Sequence, residues 1–355
     1  MRTLFKESGE KMGISAIFSV FLVGSLCFGS PTAWASGSTP LVAVVRGAPP
    51  AANANVVALC PDLTERAEIF VARGEHSLAD RLARSGYRVY LVDPWGATLA
   101  ASGGFDAVVS TVYPEIVADL QRAAGAGRVT WIGHGLCGFL PIAAAATGGN
   151  PATSVDWVGL GTRLDWSQPS PLLTSWLRSW ERGDPPVPRH SQRILFTGLR
   201  EAVGPRGSSV PPDLASGESE TAPVQLEAIV RSSIGRPPVL AVLKDLIRWF
   251  ERGAAGASTG WLDYGVGKDN VLGRGLFLMP ASDPLAPPES TLELSSASAS
   301  ASAFPSTSGV EFVLLARSEG AAEDYGHLGL LLSRNASADG DRLILRWLRG
   351  QRTRP

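Results

Sequence analysis

The chain has 355 residues, of which 45% are hydrophobic and 18% charged, so it can bury the core of one large domain or of two small ones. Its 32 Lys and Arg residues nearly balance its 33 Asp and Glu residues, and the formal net charge is −1. This balance, without a basic cluster, argues against a nucleic acid partner.

The N-terminal segment 1–35 has the three parts of a secretory signal peptide. Arg2 and Lys6 belong to a basic start, an apolar run covers 13–28, and a small-residue stretch ends at Ala35. The sequence therefore predicts cleavage after Ala35 and an exported protein, secreted or periplasmic, that does not span a membrane after cleavage. The alternative is a protein anchored by this segment uncleaved, although the run is short for a membrane span.

Short apolar runs then alternate with segments of helical spacing through the first half of the chain. The runs predicted as strands are 41–45, 56–59, 88–92, 129–132 and 157–160, and the predicted helices include 77–85 and 114–124. Strands and helices that alternate in this way predict an α/β protein with a doubly wound, mostly parallel sheet.

The alternation stops at about Arg163, and we interpret 163–270 as an inserted helical cap, or lid. Two amphipathic stretches that contain tryptophan, 172–180 and 239–250, flank a region rich in Pro, Gly and Ser around 204–220. The aromatic residues of this cap could roof an apolar pocket, but at helical spacing they are more typical of the cap's own core.

The alternating pattern resumes after the cap, so the predicted core comprises 36–162 and 271–355. Strands are predicted at 275–279 and 310–315, and the last helix carries an apolar face of Leu343, Ile344, Trp347 and Leu348. Between these strands, 295–308 is a low-complexity Ser/Ala tract that we expect to be loosely ordered.

The sequence 131–140, Trp-Ile-Gly-His-Gly-Leu-Cys-Gly-Phe-Leu, follows a predicted strand and opens an apolar helix. This is the context of a nucleophile elbow, and the motif resembles the Gly-His-Ser-x-Gly-Gly motif of α/β-hydrolases. When the two are aligned on Gly133 and His134, the nucleophile falls on Gly135 and the second motif glycine on Cys137. The resemblance thus implies the α/β-hydrolase fold with an elbow that lacks its nucleophile.

Two further residues match the family in order and position. Asp283 lies just after a predicted strand in a proline-rich turn, and His327 lies after the next strand and before the final helix. Nucleophile, acid and base follow each other in this order in α/β-hydrolases, so the resemblance implies that Asp283 is the acid and His327 the base of a former triad. The resemblance to α/β-hydrolases runs from about Val56 to the C-terminus. Within it, the segment 162–167 and the cap are similar to those of secreted or lipid-directed esterases and polyhydroxyalkanoate-synthase relatives.

The oxyanion hole implied by the resemblance is altered as well. The backbone N–H of Leu136, which follows the nucleophile position, remains as one donor. The loop expected to supply the second donor reads Cys60-Pro61-Asp62, and proline has no N–H. Because this loop lies beside the elbow in the fold, one hypothesis is a disulfide between Cys60 and Cys137, and the alternative is a pair of buried free thiols.

Three functional interpretations follow. The first is a non-catalytic protein that binds an apolar or acyl small molecule, or a partner. The second is an enzyme acting on an ester or acyl substrate, in which the pair Asp283 and His327 activates water or substrate directly, or, less favoured, Cys137 is the nucleophile. The third is a paralogue that has lost its function.

No metal site and no cofactor are expected from the sequence. The Cys and His residues do not have the spacing of metal ligands, and no glycine-rich loop opens a helix in the manner of a phosphate-binding motif.

Overall fold

The computed structural model describes the residues 41–44, 54–96, 98–125, 127–147, 155–167, 239–258, 260, 262–264, 273–291, 309–333 and 335–350. Four predicted features lie outside the described residues, namely the signal peptide 1–35, the helical stretch 172–180, the region around 204–220 and the tract 295–308.

Seven strands form a single sheet. They are β1 (Leu41–Val44), β2 (Val56–Cys60), β3 (Arg88–Val92), β4 (Val129–His134), β5 (Asp156–Leu160), β6 (Gly275–Pro280) and β7 (Val310–Leu315). Their spatial order is β1-β3-β2-β4-β5-β6-β7. Strand β1 pairs with β3 in antiparallel fashion at one edge, and the other pairs are parallel, which confirms the predicted sheet.

The helices of the described residues cover both faces of this sheet. They are α1 (Leu78–Arg84), α2 (Thr98–Ala107), α3 (Tyr113–Ala124), α4 (Leu140–Ala146), α5 (Leu240–Arg252), α6 (Gly329–Leu332) and α7 (Gly340–Leu348). Buried residues of α2 to α5 join one apolar cluster, and those of α1, α6 and α7 join a second.

Strand β2 shows how one sheet serves both clusters. Val56, Ala58 and Cys60 belong to the first cluster, and Val57 and Leu59 belong to the second. Successive side chains of a strand point to opposite faces, and all five are fully buried. The sheet is therefore the middle layer of a doubly wound arrangement, as predicted.

Helix α5 lies within the predicted cap and packs on α2. The carboxylate of Asp245 accepts a hydrogen bond of 2.7 Å from the backbone N–H of Phe105. The ring of Trp249 meets Phe105 edge to face at 4.7 Å between centroids, and Trp166 at 5.0 Å. These two cap tryptophans are buried and belong to the same apolar cluster as the buried residues of α2 to α4.

Within the described part of the chain, no helix combines the length and the hydropathy that crossing a membrane requires.

Candidate functional site

The predicted elbow is a strand–turn–helix element. Strand β4 ends at His134, a 3₁₀ turn covers Gly135–Phe139, and α4 follows directly. Gly135 stands at the bend with φ of 54°. Residues with a side chain rarely adopt a positive φ, whereas glycine does so at little cost. The chain thus forms the strand–turn–helix element that the sequence predicted, with no side chain at the bend.

The acid and the base predicted from the sequence lie in contact. Asp283 follows β6 and His327 lies between β7 and α6, so both stand at the carboxyl ends of parallel strands. The Nδ1 atom of His327 is 2.7 Å from Oδ2 of Asp283, and both residues are buried. The other carboxylate oxygen of Asp283 accepts hydrogen bonds from the backbone N–H groups of Leu285 and Ala286. Because an ionised carboxylate only accepts, Nδ1 of His327 carries the hydrogen.

The carboxylate of Asp62 occupies the space beside Gly135 in which a side chain at that position would lie. Its Oδ1 atom accepts hydrogen bonds of 2.8 Å from the backbone N–H groups of Leu136 and Leu63. Its Oδ2 atom lies 3.4 Å from Nε2 of His327. A Cβ atom added to Gly135 would lie within 2.5 Å of Cγ, Oδ1 and Oδ2 of Asp62. The N–H of Leu136, for which the resemblance implies an oxyanion role, therefore binds a side chain of the protein itself.

The loop after β2 is held in this position by its backbone. The indole N–H of Trp95 donates a 2.8 Å hydrogen bond to the carbonyl oxygen of Pro61. Pro61 has no N–H, and the second donor at this point is the N–H of Leu63, which converges with that of Leu136 on the same oxygen of Asp62. The sequence placed Asp62 in the oxyanion loop but did not predict that its carboxylate enters the site.

Charges on either side of His327 set its electrostatics. Burial lowers the pKa of His327, but the carboxylates of Asp283 and Asp62 outweigh burial and hold this pKa well above its usual value. Burial raises the pKa of Asp62, and the combined effect of His327, His134 and the N–H of Leu136 leaves it below its usual value. The site thus places a histidine ring between two carboxylates, Asp283 on Nδ1 and Asp62 on Nε2.

A second buried pair of an acid and a histidine, Glu65 and His134, lies next to His327. The Nδ1 atom of His134 is 2.9 Å from Oε2 of Glu65, and its Nε2 atom is 3.0 Å from the backbone carbonyl oxygen of His327. The same Oε2 atom accepts a 3.0 Å hydrogen bond from the N–H of Asp62. Glu65 and His134 therefore connect the loop of Asp62 with the loop of His327.

Sequence reasoning used His134 to align the elbow motif and did not identify Glu65. The spacing of Asp62 and Glu65 is that of a capping box, in which the acidic residue binds the N–H three positions earlier. This signal could have revealed the local contact. It does not reveal the pairing of Glu65 with His134, which lies 69 positions away in the sequence.

Cys60 and Cys137 form a disulfide in the structure, with their Cα atoms 5.9 Å apart, the spacing typical of such bonds. Cys60 ends β2 and Cys137 lies in the turn after Gly135, so the bond joins the two segments that the sequence hypothesis connected. A sulfur atom in a disulfide is not a thiolate, and in this state Cys137 offers no nucleophile.

One group of side chains able to bind a metal occurs among the described residues. Glu65, His134 and His327 are buried, and each offers one ligand-type atom, with these atoms within 4.8 Å of one another. Sequence spacing did not suggest a metal site, because these residues lie in three segments that are far apart in the sequence.

Comparison of the sequence with protein-family models and with curated proteins finds no match. Comparison of the structure with solved structures finds many similar folds.

Three solved structures resemble the chain over most of its length. A candidate non-haem bromoperoxidase from Mycobacterium tuberculosis H37Rv is 14% identical, with a TM-score of 0.56 over 88% of this chain and 96% of that one. A thermophilic esterase from Thermogutta terrifontis is 18% identical, with a TM-score of 0.54 over 90% and 97%. A lipase-esterase related protein from Clostridium acetobutylicum is 13% identical, with a TM-score of 0.53 over 87% and 99%.

At these identities the likeness concerns the fold and not the chemistry. The six parallel strands with helices on both faces and the strand–turn–helix at Gly135 agree with it. The chain has the α/β-hydrolase fold.

Proposed function

We propose that this protein is an exported α/β-hydrolase-fold protein that forms no acyl-enzyme and instead binds an apolar or acyl ligand, or a partner. The observation that carries the proposal is the carboxylate of Asp62, which fills the space of the nucleophile and engages the N–H of Leu136. The pattern of residues 1–35 supports export.

Ester hydrolysis through an acyl-enzyme needs a nucleophilic oxygen and free donors for the oxyanion. Gly135 supplies no oxygen, and Asp62 holds the N–H of Leu136. In serine proteases, losing the nucleophile costs a factor of about 10⁶ in turnover, and losing one oxyanion donor costs about 10²–10³. The loss of the nucleophile removes most of the catalysis, and the loss of the oxyanion donor lowers the remaining rate further.

The contact between Asp283 and His327 favours the second candidate, in which His327 activates water directly. A water molecule bound to both Nε2 of His327 and Oδ2 of Asp62 would hold them roughly 4.5 Å apart, because each hydrogen bond is about 2.8 Å long. The two atoms are 3.4 Å apart, so Asp62 takes the place of that water. Chemistry by this pair therefore requires Asp62 to leave.

Assays of the purified chain on short- and long-chain p-nitrophenyl esters, with a fluorophosphonate probe beside them, test the proposal. We expect rates equal to those of a His327→Ala variant and no covalent label, while a serine esterase treated in parallel is labelled. Saturable turnover that His327→Ala abolishes would contradict the proposal and establish the second candidate. Covalent labelling of the wild-type chain at any residue of the site would contradict both.

A further inference from the structure

We infer that Glu65, His134, His327 and Asp62 form a binding site for one divalent transition-metal ion of the Zn²⁺ class. The site goes beyond the proposed function, because it requires neither an ester substrate nor an apolar ligand. It would place a cation where an active α/β-hydrolase has its nucleophile and its base.

The first argument is the orientation of the two histidines. A carbonyl oxygen only accepts hydrogen bonds, so Nε2 of His134 donates to the carbonyl of His327 and leaves Nδ1 facing Glu65. In the same way, Nδ1 of His327 donates to Asp283, which leaves Nε2, directed at Asp62, as the atom from which a metal ion would displace the proton. Histidines that bind metals nearly always donate their other ring N–H to a carbonyl or a carboxylate, which fixes the tautomer and the ring. Both histidines have this arrangement.

The second argument is a buried ring nitrogen without a hydrogen-bond partner in the described part of the chain. The Nε2 atom of His327 is buried and makes no hydrogen bond of normal geometry to any of the described residues. The nearest acceptor that the structure places beside it is Oδ2 of Asp62 at 3.4 Å, which is long for an N–H···O bond. A buried ring nitrogen of this kind is unfavourable unless a ligand satisfies it.

The third argument is the balance of charge. Three carboxylates, those of Asp62, Glu65 and Asp283, lie around two imidazoles. Buried carboxylates are usually paired with cations or coordinate a metal, and here the carboxylates outnumber the imidazoles. The cluster therefore attracts a positive ion.

The spacing of the donor atoms fits a small ion. Two donors at about 2.0–2.1 Å from Zn²⁺ lie roughly 3.3 Å apart in a tetrahedral site. The Glu65–His134 and Asp62–His327 donor pairs are 2.9 and 3.4 Å apart. The donors of Glu65, His134 and His327 lie within 4.8 Å of one another, so side-chain movements of about an ångström complete the site.

The donor set selects the class of ion. Two imidazoles with carboxylates suit Zn²⁺ and similar transition metals, whereas Mg²⁺ and Ca²⁺ prefer sites made of oxygen alone. The Asp62 side chain is 18% exposed, which marks the side from which an ion enters. Gly135 belongs to this site indirectly, because a side chain there would displace Asp62.

Calorimetric titration of Zn²⁺ into the untagged, chelator-treated full chain tests the inference. We expect one Zn²⁺ per chain, with affinity lowered more than about 100-fold by His327→Gln and by Glu65→Gln. The orienting residue Asp283 is tested by Asp283→Asn, which should weaken binding about 10–100-fold. The matched control is His76→Gln, because His76 is an exposed histidine outside the cluster and should leave the affinity unchanged.

A second measurement uses the wild-type chain alone, so it does not depend on whether a variant folds. Co²⁺ added to the wild-type chain should give the visible absorption of a four-coordinate ion with nitrogen and oxygen donors, and no thiolate charge-transfer band. Absence of stoichiometric Zn²⁺ binding, absence of this Co²⁺ spectrum, or equal Zn²⁺ affinity in wild type, His327→Gln and Glu65→Gln would each overturn the inference. The ester assays do not depend on these results, so the proposed function stands or falls separately.

Discussion

Gly135 and the carboxylate of Asp62 complement each other in shape at the turn after β4. Glycine has no Cβ atom, and a Cβ atom at this position would overlap the carboxylate of Asp62. In the proposed function, the glycine also leaves the turn without a nucleophilic oxygen. The carboxylate in turn engages the N–H of Leu136, which would otherwise point into an empty site. In the proposed function, Gly135 thus accounts both for the absence of an acyl-enzyme and for the space that Asp62 fills.

This complementarity predicts that Gly135→Ala is more destabilising than a change of φ alone explains. The matched control is Gly74→Ala, since Gly74 has φ of 56° with nothing within 4 Å of an added Cβ. We expect the control to lose about 1–2 kcal/mol and Gly135→Ala to lose a further 1–3 kcal/mol or so through overlap with Asp62. Urea unfolding measures both, and in an Asp62→Ala background the difference between them should vanish. Equal losses in the wild-type background would show that Asp62 does not occupy this space.

At the scale of elements, periodicity predicted the strands well and the helices unevenly. Every described strand agrees with its predicted run within two residues at each end. Helix α2 was not predicted, because its sequence Thr-Leu-Ala-Ala-Ser-Gly-Gly-Phe-Asp-Ala has no apolar stripe and contains Gly103 and Gly104. It exists because α5 packs on it, a tertiary contact that local pattern does not encode.

The site shows the same division between local pattern and tertiary contact. The elbow, Asp283 and His327 could be placed from motifs and from their order at strand ends. The entry of Asp62 could not, since it depends on how the loop after β2 lies against the turn after β4, its neighbour in the sheet.

The contact between α2 and α5 gives a prediction at this scale. Asp245→Ala removes the acceptor for the buried N–H of Phe105, and an unsatisfied buried donor costs about 1–3 kcal/mol. The control Lys244→Ala changes an exposed side chain of the same helix and should alter stability by less than about 0.5 kcal/mol. Chemical denaturation of both variants tests the packing of α5. Equal stability of the two would mean that α5 does not rest on α2 in solution.

At the scale of the whole molecule, one buried acid couples stability to pH. Asp341 of α7 is buried and lies 3.4 Å from the guanidinium of Arg81 in α1. Burial raises the pKa of Asp341 to about 7, because it outweighs the attraction of Arg81 and Arg73. In the unfolded chain this carboxyl titrates near pH 4. The folded state therefore binds more protons between these two values, and this group's contribution to stability falls as pH rises from about 4 to 7.

Asp341→Asn should reveal this dependence, since asparagine is neutral at every pH. The free energy of unfolding of the variant relative to wild type should increase from about pH 4 to about pH 7 and level off above the folded-state pKa. Urea unfolding of both proteins across this range gives the difference directly. A difference that does not vary with pH would contradict the raised pKa of Asp341.

The most direct test of the central claim, that Asp62 occupies the place of the nucleophile, is fluorophosphonate labelling of chains in which the serine is restored. We predict that Gly135→Ser alone stays unlabelled, because the introduced side chain overlaps the Asp62 carboxylate. Gly135→Ser combined with Asp62→Ala should be labelled at the introduced serine and lose that label when His327→Ala is added. If Gly135→Ser alone is labelled as fast as the double variant, Asp62 does not fill the site and the account is contradicted.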